Sequence, residues 1–189
     1  MNQTSENKQF DKNLVRVIIG LGNPGAAYHK TRHNIGEHIV TELGTMLHAQ
    51  WRTSPIQEEA HVKLSLDPYD MNAGSVYLIK PMTFMNNSGK VIPGLLKKGI
   101  KPDQIMVIHD ELEKKFGFID IKLGGSARGH NGLRSIIDVM GKDFWRLRFG
   151  IDRPTEKDDV GAYVLKPFMP QEQTQLEALI SQAIQLILK

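Results

Sequence analysis

The sequence predicts an α/β fold in which helices cover a mostly parallel sheet. Short apolar runs rich in β-branched residues alternate with amphipathic segments of helical spacing, and Gly, Pro and Asn residues mark the junctions. The chain has 189 residues, which fits a single domain. With 40% hydrophobic and 24% charged residues, its composition is that of a globular protein, and it excludes a disordered chain and a membrane bundle.

Six segments carry the apolar or alternating pattern of strands. The first ends at a cluster of Gly and Pro residues, and the second and third flank a turn region around residues 72–74. The fourth is continuously apolar, as expected for a strand buried on both faces. The predicted strands are residues 15–21, 61–66, 76–79, 104–109, 116–123 and 144–151.

Four segments have apolar residues at helical spacing, and most carry a boundary signal. Asn34 is placed to cap the first helix, whereas Pro93 weakens the second. Gly141 is the expected stop of the third, and Pro170 lies near the start of the fourth. The predicted helices are residues 34–47, 89–96, 132–140 and 172–188.

The N-terminal segment is polar and predicts a disordered or frayed arm over residues 1–13, followed by one domain over residues 14–189. This arm lacks the apolar core of a signal or transit peptide, and no window holds the ~18 apolar residues that span a bilayer. Cysteine is absent, which excludes a disulfide framework, a Cys-ligated zinc site and a thiol nucleophile. It also suits a reducing cytoplasm.

Polar segments with His, Asp, Asn and Gly follow four predicted strands, and sites in parallel sheets gather beyond the carboxyl ends of strands. A histidine accepts a proton near neutral pH, a carboxylate fixes its tautomer, and amides both donate and accept hydrogen bonds. This inventory fits acyl transfer to water, with a base, an orienting carboxylate and oxyanion donors. The segments are residues 22–34, 83–89, 109–112 and 124–132.

The carboxylate in this inventory is predicted to be Asp110. His109 and Asp110 are adjacent at a strand end, so their side chains point to opposite faces and only one readily faces a given site. Asp110 is the better choice, because a buried histidine base needs a carboxylate more than it needs a second imidazole.

Three motifs favour other chemistries but lack the expected context. Residues 20–25 match G-x-G-x-x-G, yet no helix opens at the last glycine, which favours a tight turn over NAD binding. Residues 124–128 nearly form a nucleophile elbow, but Arg128 occupies its last position. His29 and His33 have a spacing seen in zinc sites, without the Glu of H-E-x-x-H and without a secure helix.

Positive charge is concentrated in one part of the sequence. The chain carries a formal net charge of +3, while residues 114–153 contain nine Lys or Arg against four Asp or Glu. This excess is either a solvated surface or a phosphate-binding face beside the glycine-rich segment. The composition leaves both interpretations open.

Six motifs in order resemble those of bacterial peptidyl-tRNA hydrolases: GLGNPG, YHKTRHNIG, PMTFMNNSGK, HDELE, KLGGSARGHNG and RLRFGIDRP. The resemblance covers roughly residue 14 to the C-terminus. It implies a three-layer α/β sandwich with a twisted mixed sheet, acting as a cytoplasmic monomer without cofactor or metal. The implied reaction is hydrolysis of the ester between a peptide, or an N-blocked aminoacyl group, and the tRNA ribose, which recycles tRNA from stalled translation.

The resemblance also implies roles for individual residues. His33 matches the general base, Asp110 the carboxylate that stabilises it, and Asn23 the asparagine that favours N-blocked substrates. Asn86 and Asn131 match the amides that hold the ester and water. The remaining matches are Tyr28 and Phe84 at the tRNA end, Lys122 and Arg148 on phosphate, and Met85 and His130 lining the site.

Two positions depart from the family pattern. Arg128 and Asp152 stand where the family usually has glycine, and Arg128 either adds a phosphate contact or stiffens the loop. Two rival functions remain: a non-catalytic RNA-binding protein on the same fold, and a hydrolase for a different ester or small amide. The intact His33 and Asp110 argue against the first, and the basic region argues against the second.

Overall fold

The computed structural model describes residues 9–67, 69–154 and 160–189. Within these residues, seven strands form one sheet in the order β2-β3-β4-β1-β5-β7-β6. The strands are β1 Val17–Gly20, β2 Arg52–Thr53, β3 Gln57–Lys63, β4 Ser75–Pro81, β5 Ile105–Glu111, β6 Ile119–Leu123 and β7 Trp145–Gly150. The helices are α1 Ile35–Met46, α2 Ile92–Lys97, α3 Asn131–Met140, α4 Val160–Val164 and α5 Pro170–Leu188. Short 3-10 helices span Lys12–Leu14, Arg32–Asn34, Met85–Val91 and Pro102–Gln104.

The sheet is parallel at its centre and antiparallel at both edges. Strands β4, β1, β5 and β7 pair in parallel, whereas β2, β3 and β6 run antiparallel to their neighbours. The mixed sheet implied by the family resemblance is therefore confirmed, and the mostly parallel pattern holds for the four central strands. Because the central strands are buried on both faces, they read as continuous apolar runs.

Helices cover both faces of the sheet and give the three predicted layers. Along β1, Val17 and Ile19 belong to the core under α2 and α3, whereas Ile18 belongs to the core under α1 and α5. This alternation is the two-residue period of a strand. Since each helix contributes one apolar stripe, the sheet is enclosed between two hydrophobic cores.

Two glycines allow α1 to lie directly on the strands. A Cβ at Gly36 would stand 2.2 Å from the carbonyl oxygen of Ile108 on β5, and a Cβ at Gly20 would stand 2.3 Å from the carbonyl oxygen of Gly36. Both distances are impossible for a side chain, so the backbones are in contact. Gly20 of the G-x-G-x-x-G motif is therefore the last residue of β1 and serves helix packing, a role that the tight-turn interpretation did not predict.

Several element boundaries differ from the sequence prediction. The segment predicted as one helix over residues 89–96 is divided between the 3-10 helix Met85–Val91 and α2, with Pro93 in the first turn of α2, where its missing N–H costs nothing. Strand β2 and helix α4 were not predicted. Both are too short, at two and five residues, to display a periodic pattern.

The predicted N-terminal arm lies outside the described residues for its first eight positions. Its last part contacts the domain: the ring of Phe10 stands edge-on to Trp145 at 5.4 Å between ring centroids, and Lys12 Nζ donates to the carbonyl oxygen of Leu188. Among the residues that the structure covers, no helix has both the length and the apolar character needed to cross a membrane.

Candidate active site

His33 and Asp110 meet at the carboxyl end of β5. His33 lies in the 3-10 helix Arg32–Asn34 that leads into α1, and Asp110 is the penultimate residue of β5. His33 Nδ1 is 2.8 Å from Asp110 Oδ1, and the two side chains are only 11% and 2% exposed. The structure therefore brings together the two residues that the sequence analysis assigned as base and orienting carboxylate.

His130 makes a second contact with the same carboxylate oxygen. Its Nε2 is 3.0 Å from Asp110 Oδ1, while its Nδ1 accepts from the backbone N–H groups of Gly132 and Leu133 at 3.1 and 3.3 Å. Because Nδ1 is an acceptor, the ring proton is on Nε2, which donates to Asp110. His130 thus caps α3 and fixes Asp110, a role that sequence reasoning missed because histidine is not a preferred N-cap residue.

Asp110 sets the protonation state of His33. Burial raises the pKa of Asp110, but the two neighbouring imidazoles outweigh it and hold that pKa well below its usual value. Burial lowers the pKa of His33, while the charge and hydrogen bond of Asp110 raise it, and the net effect is an increase above 6.5. With Nδ1 donating to the carboxylate, His33 keeps a lone pair on Nε2 that can accept a proton.

His109 lines the same cleft, although the sequence analysis expected only one of the adjacent pair to face it. Its Nδ1–H donates to the backbone oxygen of Asp110 at 2.7 Å, and its ring stands 5.2 Å from that of His130. Burial, with the repulsion of His130, lowers the pKa of His109 to about 3. His109 therefore stays neutral beside the charged groups.

Asn34 holds the backbone of Asn23 in place of capping α1. Its Oδ1 accepts from the Asn23 N–H and its Nδ2 donates to the Asn23 carbonyl, both at 2.9 Å. The side-chain Oδ1 of Asn23 in turn accepts from the backbone N–H of Met85 at 2.8 Å. The capping role predicted for Asn34 is wrong, because this long-range pair competes for the same amide. Asn23 is left with its NH2 group to donate to a ligand.

A buried ion pair anchors the turn that carries His33. Arg32 donates to Glu172 in the first turn of α5 at 2.6 Å, and to the backbone oxygen of Pro167. The Arg32 guanidinium also stacks on the Tyr163 ring at 4.4 Å. Both partners of the ion pair are buried, with side chains 3% and 9% exposed. Sequence reasoning missed the pair, because no local pattern links residues 140 positions apart.

Of the other predicted substrate residues, Asn131 lines the cleft at Asp110, and the rest lie outside its walls. Tyr28 and Phe84 stand edge-on at 6.2 Å, and Phe84 is 56% exposed, which leaves an aromatic surface for a ligand. Asn86 and Asn131 are exposed in the first turns of the 3-10 helix Met85–Val91 and of α3. Met85 is buried in the hydrophobic core under α2 and α3, which gives it a packing role.

The two predicted phosphate contacts differ in availability. Lys122 is exposed on β6, in register with Arg146 on β7. Arg148 instead forms a two-pronged ion pair with Asp120, with its Nε at 2.8 Å, and lies 3.8 Å from Glu111. This pairing raises the pKa of Arg148, despite its partial burial. A phosphate at Arg148 would have to compete with carboxylates.

The glycine-rich segment reaches the site by an unexpected path. Because β6 runs antiparallel to β7, its last residue Leu123 pairs with Trp145, the first residue of β7. Leu123 therefore lies at the opposite end of the strands from Asp110. Residues 124–130 cross back to bring His130 to the carboxylate. Arg146 holds this crossing by donating to the backbone oxygens of Gly125 and Ser126, the latter at 2.7 Å.

Arg128 and Asp152 both adopt left-handed backbone conformations. Their φ angles are +43° and +60°, a region that glycine enters without steric cost and other residues rarely occupy. This geometry explains why the family resemblance implies glycine at both positions.

The cleft beside Asp110 is small and partly enclosed. It has a volume of about 100 Å³, and its walls include His33, His130, Asn131 and Val164. That volume accommodates a few water molecules, since each occupies about 30 Å³ in the liquid. The site can therefore hold an attacking water next to the free nitrogen of His33.

The side chains of His33, Asp110 and His130 offer donor atoms within 4.8 Å of one another, as a metal site requires. Two of these atoms, His33 Nδ1 and His130 Nε2, are already hydrogen-bonded to Asp110 Oδ1. A metal would have to displace both protons. The arrangement instead suits acid–base chemistry, in which one carboxylate orients an imidazole.

Known proteins match this chain over most of its length. A family model described as peptidyl-tRNA hydrolase matches residues 17–189. Peptidyl-tRNA hydrolase of Aquifex aeolicus is 40% identical over 180 residues, covering 93% of this chain and 89% of that protein. The protein of that name from Haemophilus ducreyi is 41% identical over 172 residues, covering 89% and 86%. A crystal structure of peptidyl-tRNA hydrolase from Acinetobacter baumannii has a TM-score of 0.84 and 34% identity, covering 95% of this chain and 89% of that one.

Proposed function

This chain belongs to the peptidyl-tRNA hydrolase family, and from that premise we propose which of its residues cleave the ester that joins a peptide to the tRNA ribose. The observation that carries the proposal is the hydrogen bond of 2.8 Å between His33 Nδ1 and Asp110 Oδ1, in a cleft beyond the carboxyl end of β5. It leaves His33 Nε2 as the base. The activity frees tRNA and peptide from stalled translation.

Water is the nucleophile in the proposed mechanism. His33 Nε2 removes a proton from water as its oxygen bonds to the ester carbonyl carbon, and Asp110 stabilises the imidazolium that forms. The tetrahedral intermediate then expels the ribose oxygen, which takes the proton from His33. The peptide leaves with a free carboxyl group, and the tRNA ends in a free ribose hydroxyl.

Asparagine amides serve the oxyanion and the acyl group. Asn23 presents its NH2 group because Met85 occupies its oxygen, and this donor favours substrates whose amino end is blocked as an amide. Asn86 and Asn131 hold the ester and the attacking water from the two flanking helices. One well-placed oxyanion donor contributes roughly 3–4 kcal/mol of transition-state stabilisation.

Exposed residues bind the tRNA. Tyr28 and Phe84 offer aromatic faces and edges to the acceptor end, and stacking of this kind tolerates any base. Lys122 contacts phosphate, which positions the substrate without reading its sequence. Arg148 joins it only when its ion pair with Asp120 opens. His130 lines the cleft behind the reacting groups, and Met85 positions Asn23 through its backbone N–H.

The enzyme acts as a cytoplasmic monomer, and its hydrolytic chemistry uses no cofactor or metal. Cytoplasmic location follows from its substrate, which is produced by translation. Metal-free catalysis is supported by the two imidazole nitrogens that are engaged by Asp110 Oδ1. Residues 14–189 form the single catalytic domain, as the one sheet with a core on each face suggests, and residues 1–13 are an arm outside the chemistry.

One assay tests the function and its rivals together. Incubation with N-acetylated aminoacyl-tRNA, with and without EDTA, is expected to release free tRNA at the same rate. A non-catalytic RNA-binding protein would bind the substrate and release nothing, and a hydrolase for another ester would leave it intact. Loss of the activity in EDTA, restored by a divalent ion, would contradict the metal-free mechanism.

A further inference from the structure

We propose that His29, Glu37 and His38 form a binding site for a divalent transition-metal ion such as Zn²⁺, separate from the cleft at Asp110. Each residue offers one donor atom, and the three donor atoms lie within 4.8 Å of one another. The ring centroids of His29 and His38 are 4.9 Å apart, and His38 Nε2 lies 3.9 Å from Glu37 Oε2. Ligands of one tetrahedral zinc ion stand roughly 3.3 Å apart, so small side-chain movements suffice.

Two of the three donors have no hydrogen-bond partner. Glu37 Oε2 and His38 Nε2 are shielded from solvent and unpaired among the residues that the structure describes. Buried polar atoms are seldom left unpaired, because each such atom has lost its hydrogen bonds to water without gaining a partner. A metal ion between them would satisfy both. The two unpaired atoms lie 3.9 Å apart, close enough for one ion to contact both after a small movement.

The surrounding contacts aim the free oxygen of Glu37 at His38. The other oxygen, Oε1, accepts from Thr41 Oγ at 2.9 Å, one helical turn along α1. Because this bond fixes the carboxylate, Oε2 is the atom left for an ion. Glu37 and His38 lie in the first turns of α1, and His29 comes from the preceding loop, so the ion would join that loop to the helix.

The donor set indicates which ions fit. Two imidazoles and one carboxylate suit zinc with a water in the fourth position, whereas Mg²⁺ and Ca²⁺ prefer sites made of oxygen atoms. His29 is exposed and lines the clefts on both sides of the cluster, one shared with Glu37 and the other with His38. An ion therefore has an entry path that does not pass His33.

One neighbouring charge opposes the ion. Lys80 Nζ lies 4.0 Å from Glu37 Oε1, and it is also paired with Glu58 at 2.6 Å. Removing this ammonium group leaves Glu37 and Glu58 without their cation, so it is expected to strengthen binding of a divalent ion. Removing Lys80 is thus expected to strengthen binding of the ion, whereas removing a ligand is expected to weaken it.

The experiment titrates ZnCl₂ into the full-length, EDTA-treated and desalted chain by calorimetry. We expect one ion per chain, at least about 10-fold weaker binding in His29→Gln and in His38→Gln, and unchanged binding in His61→Gln, an exposed histidine on β3. A several-fold excess of MgCl₂ is expected to leave the zinc affinity unchanged. Lys80→Met is expected to tighten binding several-fold.

Several results would overturn the proposal. They are the absence of zinc binding, equal affinity in the wild-type chain and in both ligand variants, and loss of binding only in His130→Gln, which would assign the ion to the Asp110 cluster. Unchanged affinity in Lys80→Met would remove Glu37 from the site. His29 is exposed, so His29→Gln keeps the test valid should His38→Gln fail to fold, as melting curves of both variants would show.

Discussion

The two halves of the proposed substrate site differ in how firmly their side chains are held. Around Asp110, each polar side chain has a fixed partner: His33 and His130 share one carboxylate oxygen, and Arg32 is anchored by Glu172. Of the residues assigned to the tRNA, Lys122 on β6 and Phe84 are exposed, and Tyr28 is half-buried. One half is buried and rigid, and the other is open to solvent.

This difference follows from what each half has to do. A general base needs one tautomer and one orientation, which buried hydrogen bonds provide at the cost of desolvating charges. Contacts to phosphate need an accessible charge, and their strength depends on displaced counterions more than on fixed geometry. Substitutions in the first half are therefore expected to change kcat or stability, and those in the second to change KM.

The largest effect is expected for His33→Ala. Removing the base is expected to lower kcat about 10²–10⁴-fold, while the affinity for tRNA stays within about twofold, because His33 is buried beneath the binding surface. Steady-state kinetics with N-acetylated aminoacyl-tRNA and a filter-binding assay measure the two quantities. His61→Ala is the matched control. Normal kcat in a folded His33→Ala protein would remove His33 from the mechanism.

Asp110→Asn is expected to lower kcat on the order of 10²-fold and to change its pH dependence. In the wild-type chain burial lowers the pKa of His33 but Asp110 raises it further, to above its usual value, so kcat/KM is expected to fall as the pH drops through this raised pKa. Without the negative charge this acid limb moves to lower pH. A pH profile that is identical in the two proteins would contradict the role of the carboxylate.

Glu172→Gln tests whether the rigid half depends on its distant anchor. Leaving Arg32 without its buried counter-charge is expected to reduce the free energy of unfolding by about 3 kcal/mol, and to lower kcat more than it raises KM. Urea denaturation and steady-state kinetics measure both. Glu177→Gln, on an exposed part of the same helix, is the control and is expected to change neither.

The smallest effect is expected for Lys122→Ala. We expect KM for full-length substrate to rise a few-fold with little change in kcat, and the slope of log affinity against log salt to decrease by about one, because one phosphate contact is lost. Lys97→Ala, an exposed lysine on α2, controls for general charge effects. An unchanged salt dependence would show that Lys122 makes no phosphate contact.

Much of the scaffold could be predicted because it is local. The apolar runs of β1 and β5 and the stripe of α5 follow from two- and 3.6-residue periods, and the structure has all three within a few residues of the predicted ends. That the polar segments would meet beyond the carboxyl ends of the strands was also predictable from the sequence, whereas the choice of His33 as the partner of Asp110 came from the family resemblance.

What could not be predicted depends on contacts between distant residues. The Arg32 ion pair with Glu172 and the amide of Asn34 on Asn23 leave no trace in any periodic pattern. The direction of β6 could not be predicted either, because a strand has the same sequence pattern in a parallel and in an antiparallel pair. The course of residues 124–130 back to Asp110 depends on that direction, so the sequence did not predict it.

The contact between Gly36 and the oxygen of Ile108 sets the height of His33 above the sheet. One methyl group at position 36 would stand 2.2 Å from that oxygen and force the two backbones apart by about 1 Å. Asp110 lies two residues beyond Ile108, so its bond of 2.8 Å to His33 would lengthen past the reach of a hydrogen bond. Because glycine has no side chain, Gly36 keeps His33 within hydrogen-bond distance of Asp110. Gly36 does this from a position outside the proposed substrate contacts.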